Sequence, residues 1–169
     1  MLIQLLLVCL FVLNLMLLWK YRSTKYQIIG FTIMAILPLL SVFPAQPRFD
    51  LDFFWWKFAA ILAILAGTLL NVWTKREYFK RQISPTAEPQ ELITTGPYQF
   101  LRHPLYLSAI FSFVGWWWLW SAVYGFYFGM LILLSLWVFA WFEEKYILEP
   151  KFGQQFVTYK QQTGMFWIK

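Results

Sequence analysis

The sequence predicts an all-α integral membrane protein with about five transmembrane helices. Three observations carry that expectation. Of the 169 residues, 60% are hydrophobic and only 13% are charged, against about 25% charged in soluble domains. The apolar residues gather into runs that approach a bilayer crossing, which takes about 20 helical residues. The net charge of +6 is dispersed between those runs, with no basic stripe interleaved with surface aromatics, so it reads as membrane topology rather than nucleic-acid binding.

The runs follow in order. Leu2–Trp19 has no basic residue before it and no small-residue cleavage site after it, so it reads as a retained helix rather than a leader. Ile28–Phe43 is shorter and contains Pro38, which predicts a kink. Phe53–Trp73 is the third run. Arg76–Thr95 is the longest polar stretch, interrupted by Pro85 and Pro89, and reads as a loop with room for a short interfacial helix. Pro104–Trp120 and Ala122–Phe142 are separated by almost nothing, so they form a tight antiparallel hairpin. Beyond Glu149-Pro150, Phe152, Phe156 and Tyr159 recur at helical spacing among polar residues, predicting a short interfacial amphipathic helix at the C-terminus. Cys9 is the sole cysteine and cannot form an internal disulfide. No repeats interrupt the chain, and residues 1–169 read as a single membrane domain whose first part, residues 1–73, holds three helices.

Basic residues in short loops set orientation. Lys20, Arg22 and Lys25 follow the first run, while Lys75, Arg76, Lys80, Arg81 and Arg102 lie between the third and fourth. Lys145, Lys151, Lys160 and Lys169 follow the fifth. With the N-terminus outside, these twelve of the 14 basic residues share one face, and only Arg48 and Lys57 take the other. The expected protein is multi-pass, with its N-terminus out and its C-terminus in the cytoplasm.

The hairpin has a chemical consequence. The start of its first helix and the end of its second reach the same face, which brings Arg102 and the only histidine, His103, beside Glu143-Glu144, the only adjacent acidic pair. Trp116, Trp117, Trp118 and Trp120 crowd the other end and read as an interfacial aromatic belt. One histidine and one cysteine cannot make a conventional zinc site, so no metal is expected. A serine–histidine–acid triad lacks an acid on the right face, since Asp50 and Asp52 fall on the other. No glycine-rich phosphate loop is present. What remains is a polar pocket at the cytoplasmic face. Pro104 suits the first position of a helix, whose exposed N–H groups favour an anionic group. Arg102 and His103 can donate to that group. Glu143 or Glu144 can accept from paired hydroxyls such as those of a ribose, and Tyr98 and Tyr106 can face a cation. A carboxylate, a ribose and a cation together describe S-adenosylmethionine, although many ligands share parts of that description.

Read in order, Gly96-Pro97-Tyr98, Arg102-His103-Pro104-Leu105-Tyr106, Glu143-Glu144, Phe152-Gly153 and Tyr159 resemble the isoprenylcysteine carboxyl methyltransferase family. That family is related to the phospholipid methyltransferases and to small NnrU-like membrane proteins. The resemblance covers the chain from Leu92 onward and makes residues 92–169 the methyltransferase-like, cofactor-binding part. It implies an integral membrane methyltransferase that uses S-adenosylmethionine at the cytoplasmic face and takes a lipid-like, prenylated or small hydrophobic acceptor sideways from the bilayer. The implied cofactor residues are His103, Pro104, Tyr106, Glu143 and Glu144, joined by Tyr98. The chemistry of methyl transfer adds two catalytic candidates: Arg102, the nearby cation for a carboxylate acceptor, and Glu144, the proton acceptor for an amine or thiol.

The chain departs from the family's pattern at several points. Ala140-Trp141-Phe142 stands where enzymes methylating a prenylcysteine carboxylate carry an arginine. Thr163-Gly164-Met165-Phe166 replaces a valine-proline followed by a basic residue, and Phe156 replaces a tyrosine. Ala66-Gly67-Thr68 offers half of the glycine-x-glycine element of the phospholipid enzymes. These departures keep open a non-enzymatic membrane scaffold or ligand-binding protein of the same fold. An NADPH-dependent enzyme resembling membrane sterol reductases is a third reading.

Overall fold

The computed structural model describes residues 2–20, 24–49, 55–83 and 89–169. Arg22, Asp50, Asp52, Phe53 and Pro85 lie outside the described residues. The helices are α1 (Leu2–Lys20), α2 (Thr24–Leu40), α3 (Trp56–Arg81), α4 (Pro104–Trp120), α5 (Val123–Glu143), α6 (Glu149–Phe152) and α7 (Gln154–Gln162). A 3-10 turn occupies Gly96–Gln99 and a π-helical stretch occupies Glu144–Leu148. No strand is present among the described residues. Two described helical runs, Trp56–Arg81 and Val123–Phe152, are long and apolar enough to cross a membrane. The chain divides into two compact units, Met1–Ile64 with Phe113–Leu131, and Leu65–Ser112 with Ile132–Lys169.

In the first unit, Trp117 is almost fully buried. Its indole N–H is shared by the Pro38 carbonyl and the Ser41 hydroxyl, each at 3.2 Å. A buried indole needs such an acceptor, and this one corrects the expected belt: Trp117 is a core residue, while Trp118 and Trp120 remain exposed. Phe11 meets Phe128 edge-on at 5.4 Å. The turn between α4 and α5 is as tight as the sequence predicts, with Ser121 at φ 52°. The loop after α2 braces it. Phe49 donates to the Ser121 carbonyl at 2.8 Å, and Arg48 donates to the Trp120 carbonyl at 2.5 Å. Gln46 accepts from the Gly125 N–H at 3.0 Å, satisfying one of the unpaired donors at the start of α5.

The second unit corrects two expectations. Helix α3 runs on to Arg81, eight residues past Trp73, through what the sequence reads as a loop. Arg76–Arg81 contains no glycine or proline, and Glu77 pairs with Lys80 and Arg81 at the i,i+3 and i,i+4 spacings that stabilise a helix. The helix ends where Gln82 turns to φ 55°. Helix α5 likewise continues through the π-helical stretch into α6, and Pro150 falls in the first turn of α6, where its missing N–H costs little. The expected amphipathic helix is present as α7, but the chain breaks at Gly153, so Phe152 belongs to α6. Phe156 and Tyr159 of α7 are buried.

Gly67 explains how closely α3 and α4 approach. A Cβ there would lie 2.4 Å from the Ser112 hydroxyl and 2.6 Å from the Ser108 carbonyl. Small residues at such a crossing let the backbones touch, and Asn71 then reaches the Ser108 hydroxyl at 3.2 Å. The outer faces stay apolar: Leu69, Val72, Phe79, Leu134, Trp137 and Trp141 are all exposed. Large apolar side chains exposed in this number suit a membrane or partner interface.

Candidate active site

The site lies entirely within the second unit. Its first wall is the segment from the Gly96–Gln99 turn to the start of α4. Phe100 and Leu101 both donate to the Pro97 carbonyl, closing the turn so that Arg102 and His103 follow immediately. Pro104 then opens α4. The second wall is Glu143-Glu144, at the junction of α5 and the π-helical stretch. Widened turns of this type are frequent at functional sites. Here the last cap N–H, from Glu149, reaches back to the Glu144 carbonyl.

The two glutamates do different things. Glu144 is buried, at 2% exposure. Arg102 Nε donates to its Oε1 at 2.7 Å and a terminal guanidinium nitrogen reaches its Oε2 at 3.4 Å. His103 Nε2 lies 3.1 Å from Oε1, and the Lys160 ammonium lies 3.3 Å from Oε2. Because a carboxylate only accepts, the hydrogen of this contact is assigned to Nε2, and the other ring nitrogen, Nδ1, faces Glu143. Glu143 keeps 33% of its side chain exposed, accepts from the Tyr106 hydroxyl at 2.9 Å, and has Oε2 at 3.7 Å from His103 Nδ1.

The sequence-predicted residues thus converge, and their surroundings are specific. The His103 and Tyr106 rings stack 1° from parallel at 5.4 Å, with Phe166 on the histidine at 6.0 Å. Tyr98 is buried, and its hydroxyl pairs with that of Tyr78 at 2.7 Å. Arg102 is 7% exposed in its side chain and fully engaged. Besides Glu144, it donates to the carbonyls of Lys160 and Thr163.

The C-terminal segment completes this wall. Arg102 N–H donates to the Gly164 carbonyl at 2.8 Å, and His103 N–H donates to the Met165 carbonyl at 3.2 Å. The Tyr159 hydroxyl donates to the Tyr98 carbonyl at 2.5 Å. Burial pushes the phenols of Tyr98 and Tyr159 well above the usual tyrosine range, so both remain neutral. The Glu149 carboxylate, 2.8 Å from the Lys160 ammonium, holds that lysine above its ordinary value.

Three residues of this architecture are absent from the sequence reading. Glu77 is buried in α3, Tyr78 pairs with Tyr98, and Lys160 counts in the sequence only toward topology. A signal existed for Glu77: it is the lone acid among Lys75, Arg76, Lys80 and Arg81.

A family model for phospholipid methyltransferases matches residues 55–155, more than half of the chain. The chain belongs to the phospholipid methyltransferase family. Isoprenylcysteine carboxyl methyltransferases fall in the same family, so the resemblance read from the motifs holds. No curated protein and no solved structure matches the chain. Membership and the two long apolar helices together indicate a membrane methyltransferase, in a family that generally uses S-adenosylmethionine.

Proposed function

We propose that this chain is an integral membrane S-adenosylmethionine-dependent methyltransferase acting on a lipid-like or small hydrophobic acceptor drawn from the bilayer. In this reading it spans the membrane about five times, with its N-terminus outside and its site at the cytoplasmic face. The observation that carries the proposal is the clamp of Arg102-His103 onto Glu144, which leaves Glu143 part-exposed beside the N-terminus of α4.

The donor set fits the cofactor. Glu143 offers carboxylate lone pairs to ribose hydroxyls, and Tyr106 orients it. The first-turn N–H groups of α4, after Pro104, suit a carboxylate. The stacked His103–Tyr106 pair supplies π faces for a cation. When bound, the cofactor supplies an electrophilic methyl on a sulfonium. The protein then has to align the acceptor and exclude water, which can account for much of an in-line displacement. Glu144, held by Arg102, His103 and Lys160, orients the imidazole through Nε2 rather than taking the substrate's proton itself, and the proton acceptor in this reading is the His103 Nδ1–Glu143 pair, 3.7 Å apart.

The same geometry selects among acceptors. A carboxylate wants a cation, but Arg102 is buried and spoken for, and Ala140 is fully buried where carboxylate-methylating relatives carry an arginine. An amine or thiol needs only a proton acceptor and suits this site better. Tracking labelled methyl from S-adenosylmethionine into amine-lipid, thiol and carboxylate-ester fractions tests this. Label in base-labile esters alone would overturn the preference. Ala140 also motivates a second reading, a non-enzymatic ligand-binding protein of the same fold, which undiminished biological activity in His103→Ala would favour.

A further inference from the structure

The segment that carries His103 is held at its C-terminal side by the buried carboxylate of Glu144. A second buried carboxylate holds it at the other side. Glu77, near the end of α3, is 4% exposed. It accepts from the Thr95 hydroxyl at 2.9 Å, the Arg81 guanidinium at 2.8 Å and the Lys80 ammonium at 2.8 Å. Arg81 donates in turn to Thr95 at 2.6 Å and pairs with Glu91 at 2.7 Å. A buried charge tolerates its position only when paired and hydrogen-bonded, so this cluster ties the residue before the Gly96–Gln99 turn firmly to α3.

The contact is also steric. Gly96 sits at φ +62°, and a Cβ there would lie 2.7–2.9 Å from three atoms of the Glu77 side chain. The turn therefore presses directly on the carboxylate. The next residue of α3, Tyr78, meets Tyr98 hydroxyl to hydroxyl at 2.7 Å, so α3 grips the turn at two successive residues. The turn's Pro97 carbonyl takes the N–H groups of Phe100 and Leu101, which leaves little slack before Arg102 and His103.

We propose that Glu77 is a positioning residue of the methyl-transfer site, setting the Thr95–Tyr98 turn and through it the placement of His103. The proposal rests on the cofactor reading given above. Glu77 touches neither cofactor nor acceptor in it; its counterpart is Glu144 at the far side of the same segment.

The test is S-adenosylmethionine binding by the purified full chain in detergent micelles, measured with unfolding temperature on each variant. Glu77→Gln keeps the shape and removes the charge. Thr95→Val removes a hydroxyl from an exposed residue, so it remains informative should Glu77→Gln fail to fold. Both are expected to weaken cofactor binding about tenfold or more, since small misplacements of a site are costly. Tyr98→Phe, which cuts the second grip, is expected to couple to Thr95→Val: the double variant loses less affinity than the two single losses combined. A merely structural role would lower the unfolding temperature without that coupling in affinity. Wild-type affinity in folded Thr95→Val and Glu77→Gln overturns the proposal while leaving the cofactor reading standing. Absence of binding in the wild-type chain defeats both.

Discussion

The adjacent glutamates show how one residue step separates two jobs. Glu144 is met by Arg102, His103 and Lys160 inside the fold, whereas Glu143 has Tyr106 and open surface. Removing the charge from each should therefore read out differently. Glu144→Gln leaves Arg102 buried against a neutral amide, and breaking a buried pair in this way costs about 3–5 kcal/mol; a clear drop in unfolding temperature by thermal denaturation is expected. Glu143→Gln should leave the unfolding temperature near wild type and weaken S-adenosylmethionine affinity by tenfold or more, measured by equilibrium binding, as loss of a hydrogen bond to a charged acceptor implies (about 1.5–3 kcal/mol). Equal effects in the two variants would contradict the division of labour. The sequence made the pair legible because so few polar residues compete for attention in a chain with 13% charge. It could not say which glutamate faces inward, since that depends on the π-helical stretch that begins at Glu144. Nor could it reveal that Arg102 is consumed: its partners Lys160 and Thr163 are about sixty residues away, and the contacts are to backbone carbonyls, which carry no residue signature.

Elements bounded by strong local signals are the most legible in the sequence. Pro104 and the Trp120-Ser121-Ala122 turn delimit α4 in the sequence as they do in the structure. The polarity of Arg76–Arg81 alone suggests a loop, whereas i,i+3 and i,i+4 charge pairs carry α3 on to Arg81. Two predictions belong to this scale. Gly67→Val must displace Ser112 or the Ser108 backbone, both under 3 Å from the added Cβ; overpacking of this kind costs about 1–3 kcal/mol, visible as a lower unfolding temperature. Deleting residues 163–169 removes the carbonyls that Arg102 and His103 N–H groups use and the Phe166 ring beside His103. Cofactor binding is expected to fall at least tenfold, because the wall carrying His103 loses its backing; unchanged binding in the truncated chain would show that the C-terminal segment is dispensable.

At the scale of the whole molecule, all-helical character and membrane chemistry were legible from composition alone, because no water-soluble fold covers this much apolar surface with so few polar groups. Family membership over residues 55–155 agrees with the motifs from which it was read. The proposed orientation rests on twelve basic residues that a five-span topology puts on one face, and vesicle labelling tests it. With Cys9 replaced by serine, a single cysteine placed at Lys169 should react with a membrane-impermeant thiol reagent only in inside-out vesicles, and one placed at Arg48 only in right-side-out vesicles. The reverse labelling pattern would overturn the assigned topology. The most direct measurement of all is a titration of the purified, folded chain with S-adenosylmethionine and, in parallel, NADPH. Saturable binding of S-adenosylmethionine alone, lost in His103→Ala and weakened at least tenfold in Glu143→Gln, is the expected result. Folded protein that binds NADPH instead, or neither ligand, would contradict a methyl-donor site built from Arg102-His103 and Glu143-Glu144.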